Sequence, residues 1–220
     1  MRKNLYLWTA GLVPFLASVF YFDICDGTNA ARIIYSAAKL FILIYPLFFI
    51  GTTIPFKMAF RFDVREFGLG AAVGAALFGA GTLVLDIPAV GREIAAAAPF
   101  IQSKISSFGV EKHYLAMALT VSFVHAMLEE YYWRWFLFGA SGKNVLSAAA
   151  FSLHHFVVLD FYYDLPVAAV LTLLVFTGGL IFNALFARRD NVWGAWAAHA
   201  GADLFIFYAG WQILNGGLNG

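Results

Sequence analysis

The sequence predicts an all-α polytopic membrane protein, a bundle of about seven (seven to eight) transmembrane helices with a polar intramembrane cavity. Three observations carry this. Hydrophobic residues make up 62% of the 220 and charged residues only 12%, whereas soluble domains carry about a quarter charged. Apolar runs of bilayer-spanning length recur along the whole chain. Histidines inside those runs, two of them with a carboxylate four residues on, gather on three of the runs, where ionisable groups are costly and therefore mark function. A net charge of +1 offers no electrostatic footing for nucleic acid. A lone cysteine, Cys25, excludes an internal disulfide framework and any thiolate metal cluster. The length suits a single domain, residues 1–220.

At about 20 apolar residues per span, seven runs qualify: 5–22, 33–55, 67–85, 114–133, 144–160, 166–187 and 192–214. The first follows Arg2 and Lys3 like a signal peptide, but it is longer than a usual signal core. It reaches Asp23 without a small-residue cleavage site, so it reads as a retained span. Pro46 and Pro55 predict a kink and an end in the second. Gly70-x-x-x-Gly74 and Gly79-x-Gly81 in the third predict close helix packing. Between the third and fourth runs, Ile94, Phe100, Ile101, Ile105 and Phe108 fall near one helical stripe, with Arg92, Glu93 and Lys104 interspersed. That pattern predicts an amphipathic helix on the membrane surface, with a re-entrant eighth segment as the alternative.

Loop charges set the expected orientation. Arg2, Lys3, Lys57, Arg61, Arg65, Arg134, Lys143, Arg188 and Arg189 fall on one side, and Arg32, Arg92, Lys104 and Lys112 on the other. The excess predicts a cytoplasmic N-terminus and an external C-terminus.

The fourth run ends in His125-Ala-Met-Leu-Glu129-Glu130-Tyr-Tyr-Trp-Arg134. Glu130 and Arg134, four apart, stack on one helical face and neutralise each other. Glu129 lies about 100° round the helix, on the stripe of His125. One carboxylate thus has a built-in cation, and the other has a histidine beside it, as a general base requires. The fifth run carries Phe151-Ser-Leu-His154-His155, and the seventh carries His199-Ala-Gly-Ala-Asp203. All three runs enter or leave through the same side, so the groups can share one cavity opening toward the cytoplasm. Neither the His-Glu-x-x-His zinc helix nor the Gly-x-Ser-x-Gly nucleophile turn occurs in the chain.

Taken together and in this order, Glu129-Glu130-x-x-x-Arg134, Phe151-x-x-x-His155 and His199-x-x-x-Asp203 resemble the signature of the CAAX protease and bacteriocin-processing (CPBP) family of intramembrane proteases. The resemblance covers about residues 114–214. The Trp133-Arg134-Trp135 form looks like the exosortase/myxosortase-associated branch, which is linked to sorting of C-terminal tails. Many family members instead have Gly after the Arg.

The resemblance implies hydrolysis of a membrane-anchored protein or peptide within the bilayer. In that reading Glu129 activates water with help from His155, and His199 donates to the oxyanion. Asp203 orients and charges His199, while Glu130, Arg134 and Phe151 support the site. His125 and His154 are polar accessories. Family members are described both as metalloproteases and as metal-independent glutamic proteases. The missing zinc helix and the partner expected for His199 favour no cofactor. If zinc is used, Glu129, His155 and His199 would hold it, with His125 as a further candidate. The competing class is a non-proteolytic membrane protein, either a proton-coupled carrier or a protease-like immunity scaffold. The topology has a direct check: a reporter fused at Gly220 should read external, and a cytoplasmic reading would mean the spans are miscounted.

Overall fold

The computed structural model describes residues 2–107 and 109–217. Phe108 and Gly220 lie outside the described residues, as do the side chains of Arg2, Lys3 and Lys104. All regular structure among the described residues is helical.

Helix α1 (Arg2–Val19) runs on through a wider turn, Phe20–Ile24. Helix α2 (Asn29–Ile44) starts on Thr28, whose hydroxyl accepts from the Ala31 amide at 3.3 Å and satisfies one orphan donor of the first turn. It tightens into a 3-10 segment, Tyr45–Thr52, with Pro46 in its first turn. A proline lacks the N–H that the α ladder needs there, so the span ends at Thr52, short of the predicted 55. Pro55 instead precedes a short helix, α3 (Phe56–Ala59).

Helix α4 (Val64–Leu85) is capped by Asp63, whose Oδ1 accepts from the Glu66 amide at 3.2 Å and the Arg65 amide at 2.9 Å. These backbone bonds, with help from Arg189, hold the Asp63 carboxyl below its ordinary range. Helix α5 (Pro88–Ser107) is the helix predicted between the third and fourth runs. It also packs on the bundle: Phe100 meets the rings of Phe161 and Tyr162 at 5.1 and 5.5 Å, and Gln102 donates to the Ile213 carbonyl at 3.1 Å.

The fourth run becomes α6, residues 114–141, one helix with two π-type stretches, Thr120–His125 and Tyr131–Phe138. It extends past the predicted end at 133. Helices α7 (Asn144–Tyr162), α8 (Leu165–Ala187) and α9 (Val192–Leu214) complete the bundle.

Five helical stretches are long and apolar enough to cross a membrane: Leu5–Ile24, Asn29–Thr52, Val64–Leu85, Asn144–Tyr162 and Leu165–Ala187. The two remaining runs of the predicted seven, 114–133 and 192–214, are helical but do not meet that criterion. The first is interrupted by its π-type stretches, and the second carries His199 and Asp203. They are also shielded along the stretches that carry most of their polar groups. Tyr131 to Leu137 are all buried on α6, and most of Val192 to Ala200 is buried on α9. A helix wrapped by its neighbours faces protein rather than lipid, so it can carry polar groups. Leu5, Ile33, Val170 and Leu173, on the outer helices, are by contrast more than 60% exposed. Arg134, counted above with the loop charges, is fully buried within α6 and leaves that tally.

The closest helix pair is α4 on α9. A Cβ at Gly70 would overlap the Gly194 carbonyl, and one at Gly201 would overlap the Gly74 backbone. The absence of side chains lets the two backbones touch, as the glycine spacing of the third run predicts. Gly79 is different: nothing lies within 4 Å of a Cβ there.

This contrast gives a paired expectation for thermal unfolding in detergent. Gly70→Leu should destabilise by more than the roughly 1–3 kcal/mol of ordinary overpacking, because the obstacle is backbone. Gly79→Ala should be neutral or stabilising by up to about 1 kcal/mol, from helix propensity alone. Equal melting shifts would mean that α4 and α9 do not meet at these glycines.

Candidate active site

The site is built around the regular turn Ala126–Glu130, which lies between the two π-type stretches of α6. Such wide turns re-aim neighbouring side chains and concentrate at functional positions. Glu129 and Glu130 leave the helix in different directions, and their surroundings differ accordingly.

Glu130 has a charged or polar partner at each oxygen. Its Oε2 lies 3.2 Å from Arg134 Nε, and both side chains are fully buried. Its Oε1 accepts from His199 Nδ1 at 2.7 Å. A charge taken out of water needs this density of partners to persist. The Arg134 guanidinium lies over the Phe151 ring at 4.4 Å and the Phe182 ring at 5.1 Å, a cation–π sandwich. Phe151 also touches His155 at 4.6 Å, His199 at 5.7 Å and His154 at 5.8 Å between ring centroids. This single aromatic side chain therefore separates and packs four polar groups.

Glu129 is buried but not saturated. Its Oε1 lies 3.7 Å from His125 Nε2 and 3.6 Å from His154 Nε2, and its Oε2 lies 3.7 Å from His199 Nε2. These separations exceed hydrogen-bond length, so three imidazoles face a carboxylate that none of them grips. Access is from the histidine side: the side chains of His125 and His154 are 25% and 14% exposed, against 3% for Glu129.

His155 donates from Nδ1 to the Phe151 carbonyl at 2.8 Å, which leaves its Nε2 with the lone pair. Glu129, His154 and His155 together could hold a metal ion, each offering a ligand atom within 4.8 Å of the others. One carboxylate and two imidazoles suit zinc, and a backbone carbonyl on the far nitrogen of a ligand histidine is the usual supporting contact, present here at His155. The donor set therefore fits a metal. It differs from the set expected from sequence, because His154 stands where His199 was placed. His199 spends Nδ1 on Glu130 and approaches the other oxygen of Glu129.

Asp203 also sits differently from expectation. Its Oδ1 is 3.6 Å from His199 Nε2, beyond hydrogen-bond length, so Glu130 rather than Asp203 makes the hydrogen bond to His199. Four residues along a helix bring two side chains near one another; only the neighbouring helix decides which partner is closer.

One polar residue of the site was missed in the sequence. Lys39, on α2, contacts His125 Nε2 through its Nζ. The signal was present, since Lys39 is an ionisable residue within the second apolar run and absent from the loop-charge tally. A pocket of about 540 Å³ lies elsewhere, lined by Met58, Arg61, Phe62, Arg65 and Arg189 among others, and contains no residue of this cluster.

Among the curated proteins and the solved structures, nothing matches this chain. A family does: the one described as Type II CAAX prenyl endopeptidase Rce1-like matches residues 111–205. The matched stretch takes in Glu129, Glu130, Arg134, Phe151, His154, His155, His199 and Asp203 and excludes α1 to α5, so between residues 111 and 205 the chain is similar to a CAAX-type endopeptidase.

Proposed function

We propose that the protein is an intramembrane endopeptidase that cleaves a membrane-anchored protein or peptide. The observation that carries this reading is the contrast between the two adjacent carboxylates: Glu130 has both oxygens engaged, whereas Glu129 faces three imidazoles with neither oxygen hydrogen-bonded to them. A carboxylate held open in this way has room for a water and the lone pairs to take its proton.

In this mechanism the water lies between Glu129 and the scissile carbonyl. Glu129 accepts its proton as the oxygen attacks, with His155 presenting its Nε2 lone pair alongside. His199 gives Nδ1–H to Glu130, and with both ring nitrogens protonated its Nε2–H donates to the developing oxyanion. Glu129 then passes its proton to the leaving amine. Glu130 fixes the plane of His199 and stabilises its doubly protonated ring, the role a buried carboxylate plays behind a catalytic histidine. Arg134, Phe151 and Phe182 hold Glu130 and His199 in place. Asp203 adds negative charge beside His199.

The metal-free form is the first reading. Glu129, His154 and His155 support a second, in which a bound zinc would supply Lewis acidity and a water of lowered pKa. The Trp133-Arg134-Trp135 sequence supports assignment to the branch that processes C-terminally anchored sorting substrates, in a bacterial inner membrane with the N-terminus cytoplasmic. Seven spans, with α6 and α9 crossing inside the outer helices, suit that location. The chain acts as one domain in this reading. In its support, the Tyr132 hydroxyl donates to the Ala10 carbonyl at 2.7 Å and the Tyr131 hydroxyl to the Leu43 carbonyl at 3.0 Å, tying α1 and α2 to the motif helix.

Purified protein incubated with a membrane-peptide library tests the reading. Glu129→Gln keeps the shape but loses the base, and cleavage should fall by at least the roughly 10²–10⁴-fold that general-base catalysis supplies, with the melting temperature unchanged. Full activity of this variant would remove the mechanism. Chelation should leave wild-type turnover intact. Loss on chelation with recovery on added zinc would select the metal-bound form and keep the peptidase assignment.

The geometry at His199 gives a separate expectation. Glu130→Gln should lower kcat more than Asp203→Asn does, because Glu130 makes the hydrogen bond that orients the ring. The opposite order would return the orienting role to Asp203.

A further inference from the structure

We propose that Lys39 is a positioning residue of the site, which occupies His125 Nε2 and so keeps His125 from closing onto Glu129. This rests on the reading of Glu129 as the base. Lys39 belongs to α2, outside the stretch that matches the endopeptidase family. A lysine inside a membrane span is held there by a specific partner or it is selected against. Its Nζ contacts His125 Nε2, on the catalytic helix, and lies 5.1 Å from the centroid of the Tyr35 ring one turn earlier on α2. One turn later, the Leu43 carbonyl accepts from the Tyr131 hydroxyl at 3.0 Å, which sets the register of α2 against α6. The reach of Lys39 to His125 is therefore built into the helix pairing.

The hydrogen-bond inventory of the two groups gives the consequence. An ammonium has three donors and no acceptor, so His125 Nε2 must present its lone pair to Lys39, and the ring proton resides on Nδ1. That same Nε2 lies 3.7 Å from Glu129 Oε1. A lone pair offers nothing to a carboxylate oxygen, so the gap stays open. Without Lys39, Nε2 is free to carry a proton, and a shift of about 0.5–1 Å brings it within hydrogen-bond distance of Glu129. The resulting pair would occupy the oxygen that water needs. The N-terminal helices thus contribute chemistry to the site and do more than wrap it.

The test compares wild type, Lys39→Met, Lys39→Arg and the double variant Lys39→Met/His125→Phe. Replacing a charged side chain by an apolar one within a span favours membrane insertion, and melting curves check that each variant folds. Lys39→Met should lose about ten- to a hundredfold in kcat, part of what the base contributes, with KM changed by less than about twofold because substrate is not contacted. The double variant should recover most of that loss, since no imidazole remains to close on Glu129; such recovery is a coupling that a merely structural role would not produce. Lys39→Arg, which also donates, should retain activity. A double variant no better than Lys39→Met, or a loss expressed in KM, would overturn the proposal.

Imidazole nitrogen NMR of histidine-labelled protein gives a readout that needs no substrate. The His125 signal, identified by its loss in His125→Phe, should show the Nδ1–H tautomer in wild type and gain an Nε2 proton in Lys39→Met. An Nε2–H signal in wild type would refute the inference, whatever the activity. The expected NMR change in a protein that cleaves nothing would leave the Lys39 contact standing and sink the peptidase reading instead.

Discussion

The rest of the structure depends on giving Glu130, which is fully buried, a partner at each of its oxygens. One carboxylate oxygen is paired with Arg134 on its own helix and the other accepts from His199 on α9. Leaving either oxygen bare would cost several kcal/mol in such surroundings. The bond to His199 therefore acts as a tether between α6 and α9, and the glycine contact of α4 on α9 holds that helix from its other side. Arg134 has the same problem with the opposite sign, and two aromatic faces rather than further carboxylates surround its guanidinium.

Glu129 gains its character from what its neighbour consumes. Arg134 is spent on Glu130, and His199 Nδ1 is spent on Glu130 as well, so Glu129 is left with the remaining ring edges at 3.6 to 3.7 Å. Adjacent residues on an α-helix point about 100° apart, and here that angle separates a carboxylate paired on both oxygens from one that three imidazoles face from beyond hydrogen-bond length. The π-type stretches on either side let the motif turn present both directions while the flanking aromatic residues Tyr131 to Phe136 bury themselves in the core. Burial of the motif turn is the reason this helix can carry these groups at all, and the neighbouring apolar helices supply that shelter.

The site also draws on parts of the chain that lie outside the family match. Tyr131 and Tyr132 donate to backbone carbonyls of α2 and α1, and Lys39 reaches His125 from α2. A carbonyl left without a partner in the second or first helix would be costly in the bilayer, so these contacts bind the N-terminal helices to the motif helix in a fixed register.

The sequence by itself determined the helical membrane architecture, because spans of about 20 apolar residues and a charged fraction of 12% leave no other economical solution. It also determined that Glu129 and Glu130 differ, since the i, i+4 relation to Arg134 and to His125 is fixed by helical periodicity. The glycine seam on α4 was legible for the same reason. Tertiary structure alone decided which polar groups on different helices meet. The four-residue spacing of His199 and Asp203 suggested a partnership, but Glu130 is the residue at 2.7 Å. Of the adjacent pair, the family resemblance put His155 at the site and left His154 an accessory, whereas the helix crossing brings both close to Glu129. Lys39 was visible as a charge in an apolar run, yet its partner lies 86 residues away. Periodicity fixes the direction of a side chain on its own helix; the relative rotation of two helices comes from packing, and packing is a property of the assembled bundle.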